Sequence, residues 1–251
     1  MPNEGVQLVP VQGLGEIEPG TDLAGAIGAA LERQGTPLRD GDILVVTQKV
    51  VSKAEGCLVR LADIEPSALA AEWAALWNKD ARVVELVLRQ SRRIVRMERG
   101  VIISETRHGL VCANAGVDQS NVGGDSVTLL PEDPDASAER LRAALSQASG
   151  ARIGVVISDT FGRAWREGQV NVAIGVAGVE AMRHFEGQLD PTGYELRVTM
   201  LATADELASA AELVMGKVDG VPVALVRGLA RALGPGSATE LVRPAATDMF
   251  R

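Results

Sequence analysis

Two aspartates follow apolar segments that have the composition of buried strands. Asp118 comes after residues 110–117, and Asp159 comes after residues 153–158. Side chains at strand ends can converge on a ligand, and two converging carboxylates repel each other unless a cation neutralises them. Mg²⁺ prefers oxygen ligands and bridges carboxylates to phosphates, and Thr160 adds a hydroxyl beside Asp159. The pattern therefore predicts a metal site, although spacing alone equally allows each aspartate to cap a turn.

Two glycine-containing segments are candidates for ligand contact. Residues 118–124 read DQSNVGG, and glycine lets backbone N–H groups come close to a phosphate or a base. Residues 215–221 read MGKVDGV and join a predicted helix to a predicted strand. The alternatives are a plain turn and a helix C-cap. The sequence contains neither a G-x-x-x-x-G-K-[ST] phosphate-binding loop nor a G-x-G-x-x-G that follows a strand.

Four basic residues are candidates for binding phosphate or carboxylate. Lys49 and Lys53 follow the apolar residues 43–46, and either ammonium can hold a phosphate, although surface lysines are usually just solvated. Arg163 and Arg166 lie in a predicted loop, where they can clamp a carboxylate or a phosphate. The alternative for the arginines is an exposed pair of charges.

Composition excludes several classes of protein. The 251-residue chain is 46% hydrophobic and has a net charge of −8. Nucleic-acid binding is not expected, because no Lys/Arg cluster with interleaved aromatic residues occurs. The nearest candidate is the run Arg92, Arg93, Arg96 and Arg99, which is more simply the solvated side of a helix-to-strand region.

The cysteines, histidines and apolar stretches point to a cytoplasmic protein without zinc. Cys57 and Cys112 lack a C-x-x-C spacing and are expected to be reduced thiols. His108 and His184 are the only imidazoles, and neither lies near a G-x-S-x-G motif, so zinc or Ser-His-Asp chemistry is not supported. No signal pattern opens the chain and no apolar stretch is long enough to span a membrane.

Strands and helices alternate irregularly, which predicts an α+β fold with mixed sheets rather than a doubly wound sheet. Helices are expected over residues 23–33, with Asp22 as N-cap, and over most of 66–90, 136–149 and 204–215. Strands are expected over residues 6–11, 43–46, 93–97, 100–106, 110–115, 153–158, 172–174, 195–203 and 221–227.

Four blocks together resemble the F420-0:γ-glutamyl ligase family. They are LGEI at residues 14–17, TQKVVSK at 47–53, GVDQSNVG at 116–123 and SDTFGRAWR at 158–166. The resemblance extends from about residue 8 to about residue 250, and the last two blocks are long and unusual. It is to the stand-alone form of the ligase, without the nitroreductase-like C-terminal domain that some relatives carry.

The resemblance implies a single ligase domain over residues 1–251, with a family-specific α+β fold unlike Rossmann or ATP-grasp enzymes. It implies addition of L-glutamate to coenzyme F420-0, and then of successive γ-linked glutamates, with GTP converted to GDP and phosphate. The implied cofactors are Mg²⁺ or Mn²⁺ together with K⁺, and the implied assembly is a homodimer.

The resemblance also implies roles for individual residues. Asp118 and Asp159 match ligands of one divalent metal, and Thr160 matches a ligand of a second. The residues implied to bind GTP are Leu14, Gly15, Glu16, Ile17, Gln48, Lys53, Asn121, Met215, Gly216, Lys217, Val218, Asp219, Gly220 and Val221. One departure is Lys217, because some relatives place there a glutamine that ligates the second metal. A protonated lysine cannot ligate a cation, so either Lys217 binds phosphate or the second metal is held differently.

Two other functions stay open. The first is an amide-forming ligase that acts on a different carboxylic acid, and the second is a non-catalytic protein that binds GTP or the coenzyme. Phosphate release that depends on metal, coenzyme and glutamate together distinguishes an enzyme from a binder. For an enzyme, we expect an acyl phosphate on the coenzyme carboxylate, which the amine of glutamate then attacks.

Overall fold

The computed structural model describes residues 5–120 and 124–249. The α-helices are α1 (Leu23–Arg33), α2 (Gln48–Ala54), α3 (Ala68–Trp77), α4 (Ala81–Gln90), α5 (Pro134–Ser149) and α6 (Thr203–Met215). The strands are β1 (Gln7–Val11), β2 (Ile43–Thr47), β3 (Leu58–Arg60), β4 (Ser91–Glu98), β5 (Val101–Thr106), β6 (Val111–Ala113), β7 (Ser126–Thr128), β8 (Gly154–Arg163), β9 (Arg166–Ala177), β10 (Arg183–His184), β11 (Met200–Leu201) and β12 (Val223–Arg227). The predicted α+β class is confirmed.

A five-stranded sheet with the order β1-β12-β2-β8-β9 forms the centre of the fold. β2 and β8 are parallel, and every other neighbouring pair is antiparallel. β2 is buried on both faces because its residues alternate between two hydrophobic clusters. Leu44 and Val46 pack in a cluster with α1 and α5, whereas Ile43 and Val45 pack in a cluster with α6. A continuous apolar run is the sequence pattern that such a doubly covered strand requires.

A third hydrophobic cluster lies beside this sheet and combines α3, α4 and β5 with the residues just before Asp118. Its buried members include Ala70, Val84, Ile102 and Val117. β4, β5 and β6 form a three-stranded antiparallel sheet there. This cluster therefore provides the packing that holds the chain leading to Asp118.

Helix ends follow the signals in the sequence. The Asp22 side chain accepts a hydrogen bond from the N–H of Gly25 and caps α1, as predicted. Asp133 caps α5 in the same way, and Pro134 occupies the first helical position, where its missing N–H costs nothing. The predicted helices over 23–33, 136–149 and 204–215 are confirmed to within two residues.

Several predicted segments differ in the structure. Of the strand expected over 195–203, only Met200–Leu201 forms a strand, so this prediction is wrong for most of the segment. The loop expected around Arg163 and Arg166 is instead a tight hairpin, in which β8 and β9 continue almost to the tip. The alternation of polar and apolar residues there is weak, and hydrogen bonding between the two arms decides the structure.

The two aspartates do not stand at plain strand ends. β6 stops at Ala113, and a short 3-10 turn with positive φ at Asn114 and Ala115 carries the chain to Asp118. Gly116 ends that turn at φ +73°, and a Cβ there would lie 2.6 Å from Leu130. Asp159 lies inside β8, which runs on to Arg163.

Candidate active site

Four of the segments singled out by sequence lie at one edge of the central sheet. The register pairs Val11 with Val223, Val223 with Val46, and Val46 with Ile157. β1 and β2 run toward this edge and β12 starts from it. Consequently, residues that follow β1 and β2, residues that precede β12, and Asp159, two places beyond Ile157, all lie along the same edge.

Asp159 occupies the point where β8 leaves the five-stranded part of the sheet. The last pair between β2 and β8 joins Thr47 to Ser158, and beyond it β8 pairs only with β9. The Asp159 carboxylate accepts a hydrogen bond of 2.8 Å from the backbone N–H of Thr160. Within residues 5–120 and 124–249 no other donor to this carboxylate is found, so the group is poorly solvated by the protein.

The electrostatic surroundings of Asp159 work against its charged form. Burial has the largest effect and raises the pKa of Asp159 to about 6. The nearby Asp118 carboxylate adds to the rise, while the Lys217 and Lys49 ammonium groups oppose it. The structure thus brings together the two aspartates that are widely separated in sequence, with two lysines close by.

Asp118 is better satisfied than Asp159. Its carboxylate accepts hydrogen bonds from the N–H of Ser120 at 2.7 Å and from the Ser120 hydroxyl at 3.0 Å. The Lys49 ammonium lies 2.8 Å from the same carboxylate. Burial works to raise the pKa of Asp118, but the hydrogen bonds from Lys49 and Ser120 outweigh it and hold the pKa below its usual value. Backbone bonds in both directions with Thr128 fix the position of Asp118.

The donor set at Asp118 and Asp159 fits one divalent cation. A buried carboxylate with one hydrogen bond, next to a second carboxylate, is stabilised by a shared hard cation. The described residues contain no group of three or more His, Cys, Asp or Glu side chains suited to a metal. A cation held by these two carboxylates would take its other ligands from water or phosphate oxygens, which is how Mg²⁺ is commonly bound.

A closed ring of hydrogen bonds lies beside Asp159. The Lys217 ammonium donates to the Thr160 hydroxyl, and the Thr160 hydroxyl donates to Asn171 Oδ1 at 2.7 Å. Asn171 Nδ2 donates to Glu212 Oε2 at 2.7 Å, and Glu212 Oε1 lies 3.1 Å from the Lys217 ammonium. The Thr160 hydroxyl therefore has its proton and one lone pair engaged, and one lone pair is left for a further contact.

Neighbouring elements place each member of the ring. Thr160 and Asn171 are register partners in the β8–β9 hairpin, and Asn171 is 1% exposed. The backbone carbonyl of Asn171 also accepts a hydrogen bond from Ser209 on α6 at 2.8 Å. Glu212 lies on α6 near its end, and Lys217 follows in the loop that leads to β12.

The loop that contains Lys217 has a tight start. Gly216 ends α6 with φ +62°, and a Cβ there would lie 2.0 Å from the Asp219 carboxylate. Val218 is 93% exposed, so the loop projects from the sheet edge. Met215 is instead a buried core residue of α6, 1% exposed.

The remaining predicted contact residues that the structure describes occupy the same edge. The Lys53 ammonium lies 3.7 Å from Glu16 and links α2 to the loop that follows β1. Gln48 is 2% exposed and accepts a hydrogen bond from the Ser52 hydroxyl at 2.8 Å. In the loop that follows β1, Ile17 is buried in the core, and Leu14 packs against it while Gly15 takes φ +75°. Asn121 lies outside the described residues.

The two arginines of the β8–β9 hairpin lie farther away. Arg163 is four residues beyond Asp159, roughly 13 Å along an extended strand. Its guanidinium donates to the backbone carbonyls of Glu167 and Gly168, so it is committed to its own hairpin. Arg166 is exposed at the start of β9.

Sequence reasoning missed Asn171 and Glu212, and it gave Lys49 no partner. The predicted strand at 172–174 began one residue too late to include Asn171, and Glu212 read as an ordinary polar residue of a helix. Alternation across β9 gave no clear signal, because Glu167 and Gln169 precede Asn171 at the same spacing and are polar and exposed. The ring itself becomes visible only in three dimensions.

Comparison with known proteins places these features in a family. Residues 13–228 match the family described as F420-0:Gamma-glutamyl ligase. The chain is 45% identical to the coenzyme F420:L-glutamate ligase of Methanothermobacter thermautotrophicus, over 98% of this chain and 99% of that protein. It is 46% identical to the enzyme of the same name from Methanopyrus kandleri, over 100% and 99%. Within the described residues, no helix combines the length and apolarity that a membrane crossing needs. The chain belongs to the F420-0:γ-glutamyl ligase family.

Proposed function

We propose that this protein joins L-glutamate to coenzyme F420-0 at the expense of GTP, and then adds further γ-linked glutamates. The observation that carries the proposal is the shared sheet edge, where two converging carboxylates lie among four lysine- or glycine-bearing segments that match the family. Relatives covering nearly the whole chain carry the name of this reaction. We further propose that it works as a cytoplasmic homodimer and is activated by K⁺.

The acidic and basic residues of the site have different roles in the proposed reaction. Asp118 and Asp159 hold Mg²⁺ or Mn²⁺, which supplies a Lewis acid for the oxygens of the transferred phosphoryl group. The Lys53 side chain is 14% exposed and lies at the same edge of the sheet. Its ammonium supplies a fixed positive charge that binds the nucleotide phosphates. The loop after β1 and residues 215–221 flank these charges and complete the proposed GTP site, together with Gln48 and Asn121.

The proposed reaction has two steps, phosphoryl transfer and then amide formation. A carboxylate oxygen of the coenzyme attacks the γ-phosphorus of GTP, the β–γ bridging bond breaks, and GDP leaves with that electron pair. The amine of glutamate then attacks the acyl carbon, and inorganic phosphate leaves with the oxygen that made the attack. The amine loses a proton to solvent, and an amide results. No covalent bond to the protein forms, so the side chains act by position and charge.

Incubation with F420-0, GTP, Mg²⁺ and L-glutamate tests the proposal. We expect a mass gain of one or more glutamyl units on the coenzyme, with one GDP and one phosphate released for each unit. Asp159→Ala serves as the inactive control. Glutamate transfer to another carboxylic acid, with F420-0 unchanged, would instead identify a different amide ligase. Saturable binding of GTP or F420-0 without phosphate release would identify a non-catalytic binder.

A further inference from the structure

We propose that the Lys217 ammonium is a built-in cation on the Thr160 side of the active site, so that the protein binds a single divalent ion there. The inference rests on the proposed function, since it concerns how the same site handles phosphate charge. It assigns Lys217 a direct contact with a phosphate oxygen, and it removes Thr160 from the list of metal ligands.

The oxygen atoms around Lys217 are those expected of a cation site. The Thr160 hydroxyl and the Glu212 carboxylate both face the Lys217 ammonium. Hydroxyl and carboxylate oxygens are ligands that a divalent cation would otherwise use. Here a covalently attached ammonium fills that role, and it needs no recruitment from solvent.

The hydrogen-bond ring leaves little room for a second ion. Thr160 gives its proton to Asn171 and accepts from Lys217, while both oxygens of Glu212 are engaged by Asn171 and Lys217. A divalent cation at Thr160 would have to use the one lone pair of the hydroxyl that the ring leaves free. It would also lie beside the Lys217 ammonium, which hydrogen-bonds to that single oxygen, whereas Lys49 leaves the second carboxylate oxygen of Asp118 to a cation.

Lys217 retains one donor for a ligand. An ammonium has three N–H groups, and the ring uses two of them, toward Thr160 and Glu212. The Lys217 side chain is 58% exposed, so its third N–H can reach a group outside the protein. The Lys217 ammonium donates to Thr160, which directly follows Asp159 in the chain, so it lies next to the proposed divalent-ion site. A phosphate oxygen between the two cations would contact both.

Native mass spectrometry with Mn²⁺ and a non-hydrolysable GTP analogue counts the ions directly. We expect one Mn²⁺ per chain in the unmodified protein and two in Lys217→Gln, because an amide oxygen replaces the ammonium. Lys79→Gln removes the same charge beside Trp77 and Gly100, away from the sheet edge, and we expect one Mn²⁺ there. Lys217 lies in an exposed loop, so Lys217→Gln should fold normally.

The outcomes separate this inference from the proposed function. Two Mn²⁺ ions in the unmodified protein, or one in Lys217→Gln, would overturn the inference and leave the ligase proposal standing. No Mn²⁺ in the unmodified protein would overturn both the inference and the Asp118–Asp159 site.

The phosphate contact has its own readout. Binding of the same GTP analogue is measured in EDTA, where no divalent ion contributes. We expect Lys217→Gln to weaken binding about tenfold, the effect of losing one charge-assisted hydrogen bond, and Lys79→Gln to leave it unchanged. Equal affinity of the unmodified protein and Lys217→Gln would contradict direct phosphate contact.

Discussion

Two mostly buried carboxylates, in different regions of the protein, have opposite pKa shifts. Glu85 on α4 accepts hydrogen bonds from the N–H and hydroxyl of Ser67 and from Arg89, and these lower its pKa to about 2. Asp159 at the sheet edge accepts a single hydrogen bond, and burial raises its pKa to about 6. The two pKa values differ because the protein supplies more donors to Glu85 and because burial has the largest effect on Asp159 but a minor one on Glu85.

The comparison shows how a structural carboxylate differs from one left for a ligand. Glu85 is 9% exposed and ties the start of α3 to α4, so its charge is used entirely inside the protein. Asp159 has unused acceptor capacity and a second carboxylate, Asp118, nearby. A buried charge that the protein itself leaves undersatisfied is a candidate functional site.

The largest effect is expected from removing the Asp159 carboxylate. Asp159→Ala should lower the rate of glutamate addition about a thousandfold or more, because the metal that supports phosphoryl transfer loses a ligand. Asp118→Ala should behave similarly. Steady-state rates measured by GDP release check this, with Asp63→Ala as a control on an exposed aspartate. Near-normal rates at ordinary Mg²⁺ would show that these aspartates do not hold the metal.

Adding metal should stabilise a variant of Glu85 but not a variant of Asp159. Mn²⁺ at a hundred times its dissociation constant should stabilise the unmodified protein by about 2.7 kcal/mol, since it binds the folded state alone. Glu85→Gln should gain the same increment, whereas Asp159→Asn should gain little. Thermal unfolding with and without Mn²⁺ measures both. An equal gain in Asp159→Asn would place the metal elsewhere.

Loss of Glu85 should harm stability rather than chemistry. Glu85→Ala leaves the Ser67 donors and Arg89 without their acceptor, which should cost about 1–3 kcal/mol in the free energy of unfolding. In metal-free protein, Asp159→Asn should instead leave stability unchanged or raise it, because a neutral amide avoids repulsion from Asp118. Urea unfolding followed by circular dichroism compares the two. A stability loss in Asp159→Asn as large as in Glu85→Ala would show that both carboxylates contribute to the stability of the metal-free protein.

The sequence predicts much of the sheet and only part of the site. Apolar runs such as residues 43–46, and the capped helix after Asp22, are local signals, and the structure confirms them. The convergence of the segments at the sheet edge follows from strand register, which no local pattern encodes. The bond between Asn171 and Glu212 joins residues 41 positions apart. Such a pair depends on how α6 packs against β9, so residue types alone do not reveal it.

The smallest expected effect is the pH dependence of the Glu85 contribution. A carboxylate whose pKa is lower in the folded state stabilises the protein above its unfolded pKa, about 4.3 for glutamate, and loses that contribution as the pH falls toward its folded value. The folded pKa of Glu85 is about 2. The stability difference between the unmodified protein and Glu85→Gln should therefore be constant above about pH 5 and shrink steadily below about pH 4. Urea unfolding across pH 3 to 7 measures this difference, and the glutamine variant is the matched control because it retains an acceptor for Ser67. A difference that does not change with pH would mean that the Glu85 charge contributes nothing beyond the geometry of its hydrogen bonds.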